Sequence, residues 1–414
     1  MVRNPRAENH CASLDDIMTL HILGGGSIGL LYASSMRLVS TRKFPICLLL
    51  QAHHAPKLKL YNEPISLDKG FVDESILLNL SPSSDLGHPS SEQEGNNKTY
   101  IFAEMKDVHG KIHLQDIPSE IINGEHKQRD IQNVLLATKA PQAVTALESI
   151  FPRFHPTEQI NIVCMTNGSL GVVDGIQASL KDNGLCDKVN IIYASTTHGA
   201  MRGRGGIGDA FSVVHTGLGH TFIEGSADSN DADTLQQTLC TIWNDYGLRC
   251  SIISPEEMYV MNWKKLATNC AINPLTALRQ CENGKLLATK SKSLSYDATF
   301  DSSELDYNCD HLFYQLIREV SDVAMAEADK SSANLSSSVK KELSYDNLVS
   351  FVESVVHQTS RNKSSMLQDV IARRYPTEIM FLNGYISRIG RDNNLDVKAN
   401  SYVCEEIERG TNIY

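Results

Sequence analysis

The sequence predicts an α/β fold: a doubly wound, mainly parallel sheet in the first half, then an all-α second half. Three observations predict it. Short, almost continuously apolar runs recur between residues 19 and 193, as strands buried on both faces of a parallel sheet do. The first of these runs leads into a glycine-rich turn and then a small, apolar stretch suited to a helix. After Glu256 the apolar residues fall into stripes at helical spacing.

In chain order, Thr19–Leu23 is the first strand-like run, and Gly24-Gly25-Gly26-Ser27-Ile28-Gly29 follows it. Leu30–Ala33 suits a helix. Ile46–Leu50, Asn133–Thr138, Ile160–Cys164 and Val189–Tyr193 read as further strands, with a helical stretch at Gln142–Ile150 between them. Phe211–Glu224 alternates like strands, Asp233–Tyr246 reads as a helix, and Cys250–Ile253 closes this half as a strand. In the second half, Leu312, Leu316, Val320 and Val323 share one stripe. Leu348, Phe351, Val352, Val355 and Val356 share another. The stretch from Gln51 to Asp130 is long and polar, and 81–98 within it reads as an inserted surface loop. A second polar insertion is expected at 289–306. Residues 1–17 lack an apolar signal core and read as a disordered lead-in. The expected division is 18–255 for the sheet domain and 256–414 for the helical domain, in keeping with the length of 414 residues.

With 41% hydrophobic and 21% charged residues, the composition is that of a soluble globular protein. A net charge of −11 argues against a nucleic-acid or anionic-membrane partner. The ten cysteines form no C-x-x-C pair and no cluster with metal spacing, so no metal site is expected. Cys47, Cys164 and Cys270 sit in apolar runs and read as small core residues, which points to a reducing, cytoplasmic setting.

Strand, G-x-G-x-x-G, then helix is the context of a dinucleotide phosphate site. One glycine allows the tight turn, one admits the pyrophosphate to the backbone, and one lets helix pack on strand. The helix N-terminus adds amide donors and a partial positive charge. The end of the second strand usually selects between NAD and NADP. It reads Leu50-Gln51-Ala52-His53-His54, with neither an acid for a ribose 2′-hydroxyl nor an arginine for a 2′-phosphate. Gln51, His53, His54 and Lys57 stand as alternatives there, beside the reading of all four as solvated loop residues.

Lys265, Asn269 and Asn273 stand four residues apart in a segment that is otherwise apolar or small. Each step of four turns a helix by about 40°, so the three heads share one face. A lysine alone in such a place would pack its stem and turn its head to water. Two amides on the same face point instead to a site for a carbonyl and a carboxylate. Asn273 precedes Pro274, and a residue before proline is pushed from helical angles. The helix is therefore expected to kink or end at Asn273. Asn167-Gly168 reads either as an ordinary turn or as part of the cleft beyond a parallel strand. Ser365 reads as a helix-initiating residue or a binding group.

The segment WKKLATNCAINPLTAL, the glycine loop, and Asn362-Lys363-Ser364-Ser365-Met366-Leu367-Gln368-Asp369 with Thr377-Glu378-Ile379 resemble the ketopantoate reductase family. The resemblance covers most of 18–409 apart from the two polar insertions. It implies a Rossmann-type dinucleotide-binding domain followed by an all-α domain. It also implies NADPH-dependent reduction of 2-dehydropantoate to (R)-pantoate, toward pantothenate and coenzyme A. It implies cofactor contacts at Gly24, Gly25, Gly26, Ser27, Ile28, Gly29, Gln51, Lys139, Gln142, Asn167, Ala200 and Glu378. Lys265 matches the proton donor, with Glu378 beside it. Asn167, Asn269, Asn273, Asn283, Asn362 and Ser365 match substrate-binding groups. Three features depart from the family pattern: Gln51 stands where an arginine is frequent, Arg373-Arg374-Tyr375-Pro376 is one residue longer, and the insertions lack counterparts. Two other functions fit the same motifs: reduction of another branched 2-oxo acid, and NADP binding by a regulator without turnover. The expected partner is a small 2-oxo acid, and a homodimer is left open.

Overall fold

The computed structural model describes residues 20–24, 26–38, 46–49, 65–68, 76–79, 100–101, 104–106, 131–202, 213–226, 234–245, 247–287, 309–330 and 335–412. The expected lead-in at 1–17 and the insertions at 81–98 and 289–306 lie outside them, as do Gly25, Gln51, His53, His54 and Lys57.

The strands in chain order are β1 (Leu20–Leu23), β2 (Ile46–Leu49), β3 (Ile65–Asp68), β4 (Ile76–Asn79), β5 (Tyr100–Ile101), β6 (Glu104–Lys106), β7 (Asn133–Leu136), β8 (Ile160–Cys164), β9 (Val189–Thr196), β10 (Gly199–Arg202), β11 (Val213–Gly217), β12 (Thr221–Glu224) and β13 (Cys250–Ile253). Eight form one sheet, ordered β13-β12-β9-β8-β7-β1-β2-β5. The five central strands, β9, β8, β7, β1 and β2, are parallel. The chain leaves β1 for β2 on one side and later returns to β7 on the other. The C-terminal ends of β1 and β7 therefore flank the switch point where ligands of such sheets bind. β1 and β7 are buried along their whole length, as continuous apolar runs require.

The long stretch after β2 holds a feature that its polar composition hid. Strands β3, β4 and β6 pair with β10 and β11 in a second sheet of five. Helix α1 (Ser27–Leu38), which follows the glycine turn, contacts strands of both sheets. Helices α2 (Ala140–Glu148) and α3 (Ser169–Asp182) follow β7 and β8, and α4 (Leu235–Asp245) precedes β13.

The second half is helical: α5 (Pro255–Arg279), α6 (Cys309–Lys330), α7 (Ser337–Glu342), α8 (Tyr345–Gln358), α9 (Ser365–Ile371), α10 (Asn383–Asp392) and α11 (Lys398–Asn412). Helix α5 is the centre, touching α6, α8, α9 and α11. It starts in a capping box: Ser254 Oγ accepts from the Glu257 amide and the Glu257 carboxylate accepts from the Ser254 amide, with Pro255 at the first turn. Trp263, Leu266, Cys270 and Leu275 are buried against the α6 stripe of Leu312, Leu316, Val320 and Val323.

The helix does not end at Asn273. Helix α5 runs through Pro274 to Arg279 and ends on Gln280 in the left-handed conformation. Pro274 has no N–H for the Cys270 carbonyl four residues back. Asn383 Nδ2 supplies the missing donor at 3.0 Å. The same amide donates to Asn400 Oδ1 at 2.9 Å, and Asn400 Nδ2 donates to Glu319 Oε2 at 2.8 Å. Glu319 also accepts the Ala399 and Asn400 amides at the start of α11, where the helix dipole favours an anion. A buried side-chain network thus replaces one backbone hydrogen bond. Among the described residues no helix is long and apolar enough to cross a membrane, and no three side chains gather as a metal site.

Asn383→Ala is expected to destabilise the fold by about 2 kcal/mol in denaturant unfolding, because the Cys270 carbonyl oxygen and Asn400 Oδ1 lose a buried donor. Pro274→Ala in that background restores an N–H donor and recovers part of the loss. Equal unfolding midpoints for the single and double variants contradict this account. At β1, a Cβ on Gly24 (φ +130°) would stand 2.8 Å from the Ala137 carbonyl carbon. Gly24→Ala is therefore expected to lower the melting temperature, whereas Gly26→Ala, whose added Cβ meets no described residue beyond its chain neighbours within 4 Å, leaves it unchanged.

Candidate active site

The glycine turn meets the spatial demands of a dinucleotide cradle. Gly24 lies against the Ala137 and Thr138 backbone at the end of β7. A Cβ on Gly29 would stand 2.0 Å from the Gly24 carbonyl oxygen, so helix α1 closes on the turn only with glycine there. Among the described residues no atom beyond its chain neighbours lies within 4 Å of a Cβ added at Gly26, room that a phosphate can enter. Ser27 and Ile28 begin α1, whose N-terminus is aimed at that space.

Three further residues sit at the C-terminal ends of the parallel strands. Lys139 follows β7 and Asn167 follows β8, while Ser195 lies near the end of β9. Glu378 comes from the helical half and is almost completely buried. Its Oε1 accepts the Ala140 amide at 3.5 Å, so it sits at the N-terminus of α2, and the Asn167 side chain hydrogen-bonds to it. Burial pushes its carboxyl above the ordinary carboxylate range. The Ala140 amide, the Lys139 charge and the Asn167 side chain oppose that rise, and the Asp369 charge adds to it.

Lys265 reaches toward this edge from α5, and its Nζ donates to Ser195 Oγ at 3.3 Å. Burial pulls its ammonium below the ordinary lysine range, and the negative charge of Glu378 opposes that pull. Lys265 stands between two spaces. With Asn269, Asn262 and Gly168 it lines a small gap beneath the β8 turn. On its other side opens a cavity of about 960 Å³, lined by Ser195, Phe222, Met261, Lys264, Phe351 and Val355 among others.

The remaining site residues fall into two groups. Asn273 is buried in α5, two turns beyond Lys265 and about 12 Å along the helix. Asn283, Asn362 and Ser365 gather near that end. The Asn283 amide donates to the Asn362 carbonyl at 2.9 Å, and Asn283 Nδ2 donates to Thr359 Oγ1 at 2.9 Å. The other amide atom, Asn283 Oδ1, is buried with no hydrogen-bond partner among the described residues. The cap of α9 is Ser364, not Ser365: Ser364 Oγ accepts the Leu367 amide at 3.1 Å and meets Thr276 Oγ1 at 2.6 Å. Ser365, exposed, is left with a free face. Gln142 is exposed on α2, and Ala200 lies in β10, paired with His215 of the second sheet. His198 is a packed histidine, its Nδ1 accepting the Gly219 amide at 2.9 Å and its Nε2 bonded to the Leu248 carbonyl at 2.7 Å.

Sequence reasoning missed Ser195, Asn262 and Asp369. Only Asp369 carried a local signal, as the last residue of the motif begun by Asn362. Its two carboxylate oxygens receive Lys139 Nζ at 2.7 and 2.6 Å.

Residues 91–227 match the model of the ketopantoate reductase PanE/ApbA family, and residues 257–410 match that of its C-terminal domain. The 2-dehydropantoate 2-reductase of Vibrio cholerae is 31% identical over 281 residues, covering 66% of this chain and 76% of the relative. That of Salmonella typhi is 30% identical over 317 residues, covering 76% and 85%. Among solved structures, a PanE/ApbA family ketopantoate reductase from Ralstonia eutropha superposes with a TM-score of 0.63 at 18% identity, covering 95% of this chain and 99% of that one. A D-mandelate dehydrogenase in complex with NADH and anilino(oxo)acetate shares the fold at a TM-score of 0.61, with 18% identity over the same shares. Matches in both halves of the chain, with relatives aligned over most of their length, agree with the lysine helix and the glycine turn: the chain belongs to the ketopantoate reductase family of oxidoreductases.

Proposed function

We propose that the protein reduces 2-dehydropantoate to (R)-pantoate with NADPH, with 18–255 as the cofactor domain and 256–414 as the helical substrate domain. The observation that carries this reading is the Lys265 ammonium, held at the C-terminal edge of the parallel sheet by Ser195, with its charged form favoured by the negative charge of Glu378. A cytoplasmic setting is supported by the free cysteines Cys164, Cys250, Cys270 and Cys404.

Gly24, Gly26, Ser27, Ile28 and Gly29 are the residues that fit the pyrophosphate, with Lys139, Gln142, Asn167, Ala200 and Glu378 as further cofactor contacts. The cofactor, when bound, supplies a hydride. The chain supplies position and field. As the carbonyl carbon of a 2-oxo acid accepts hydride, negative charge grows on its oxygen. Lys265 stabilises that charge and then gives the oxygen a proton from Nζ. Glu378 keeps the lysine charged until then. Asn269 and Asn273 orient the substrate along α5, and Asn283, Asn362 and Ser365 hold its hydroxyl and carboxylate end. The buried, unpartnered Asn283 Oδ1 supports a hydroxyl donor at that end.

A second reading, reduction of another branched 2-oxo acid, rests on the apolar lining of the cavity beside Lys265, where Phe222, Val260, Met261, Phe351 and Val355 can receive a larger side chain.

With 2-dehydropantoate, NADPH oxidation is expected in the wild type, and Lys265→Ala is expected to lower kcat about a hundredfold or more. No NADPH oxidation by the wild type, with Lys265→Ala behaving identically, sinks the proposal. Comparing kcat/KM over a panel of 2-oxo acids separates the two substrates. The pH profile follows from the two shifted groups. Activity falls as pH drops through the raised Glu378 carboxyl, and falls again as pH climbs through the lowered Lys265 ammonium. Glu378→Gln is expected to remove the acidic limb and move the basic limb to lower pH, because Lys265 loses its counter-charge.

A further inference from the structure

We propose that Asp369 is a positioning residue that pins Lys139 across the two halves of the molecule, leaving Glu378 to serve Lys265. The inference rests on Lys265 and Glu378 being the reacting pair. Lys139 stands at the end of β7, in the sheet half, and Asp369 on α9, in the helical half. Lys139 Nζ lies 2.7 and 2.6 Å from the two Asp369 carboxylate oxygens. The Lys139 side chain is 43% exposed and that of Asp369 only 9%, so the carboxylate is the fixed member and the lysine the held one.

Geometry makes the pair consequential. The residue after Lys139, Ala140, gives its amide to Glu378. One lysine therefore stands between two carboxylates, and the charged groups acting on Glu378 are Lys139, Asp369 and Lys265. Arg374, which approaches Asp369 at 3.4 Å, is 64% exposed and a weaker partner. Were Asp369 uncharged, Lys139 would be free to turn to Glu378 or to an anion bound at the neighbouring glycine turn. Asp369 thus restrains a cation that would otherwise neutralise the carboxylate serving Lys265.

The test compares Asp369→Asn, Lys139→Met and Lys139→Arg in the full-length protein. NADPH titration, which needs no turnover, is read beside kcat and the pH profile. Asp369→Asn is expected to bind NADPH about three- to tenfold more tightly, since one negative charge leaves the cleft. Its kcat falls about tenfold or more, and its acidic limb moves to lower pH. Lys139→Met is expected to bind NADPH more weakly and move the acidic limb to higher pH, and it serves alone if Asp369→Asn does not fold. Lys139→Arg, which keeps a two-oxygen pair with Asp369, is expected to keep the acidic limb at the wild-type pH. Acidic limbs that stay put in both variants, or move in the same direction, overturn the proposal, as does weaker NADPH binding in Asp369→Asn. If the wild type binds NADPH yet turns over no 2-oxo acid, the functional reading fails, while the opposite shifts in NADPH affinity still report on the Lys139–Asp369 pair.

Discussion

A half-buried lysine ammonium is the constraint on which this structure depends. Partly withdrawing Lys265 from solvent costs free energy unless the protein returns hydrogen bonds and a counter-charge. Ser195 returns one hydrogen bond and Glu378 the charge. Those two residues come from opposite halves of the molecule, one from β9 and one from the segment after α9. Meeting the demands of one side chain therefore ties the sheet to the helical domain at the edge where the parallel strands end.

Helix α5 bears this arrangement, and it does so with a proline in its interior. Pro274 leaves the Cys270 carbonyl without its usual partner, and Asn383 replaces that partner from α10. Asn383, Asn400 and Glu319 form a buried chain that ties α10, α11 and α6 to the same point of α5. The helix continues without a break through Lys265, Asn269 and Asn273. A polar network in the core is costly if left half satisfied; here Asn383, Asn400 and Glu319 are bonded to one another, while Asn383 Oδ1 is buried with no hydrogen-bond partner among the described residues.

Much of this was legible in the sequence, for identifiable reasons. The parallel strands and the glycine turn depend on local pattern, and Lys265 and its asparagines on a spacing of four. What the sequence hid depends on contacts distant in the chain. Lys139 and Asp369 lie 230 positions apart, and no local rule pairs them. The rule that a residue before proline leaves the helix was correct locally, but the tertiary donor from Asn383 overrode it. The cap of α9 fell one residue earlier than Ser365 because Ser364, not Ser365, can reach both the Leu367 amide and Thr276. The second sheet is hard to read from sequence because its strands are three to five residues long and separated by polar chain.

The central claim is that Glu378 holds a desolvated Lys265 in its charged form. Direct titration of the Lys265 amine by lysine-selective nitrogen NMR, in the wild type and in Glu378→Gln, tests it without recourse to turnover. The account predicts that Lys265 loses its proton at lower pH than the exposed lysines, and at lower pH again in Glu378→Gln. Titration of Lys265 together with the surface lysines, unchanged by the substitution, would contradict it.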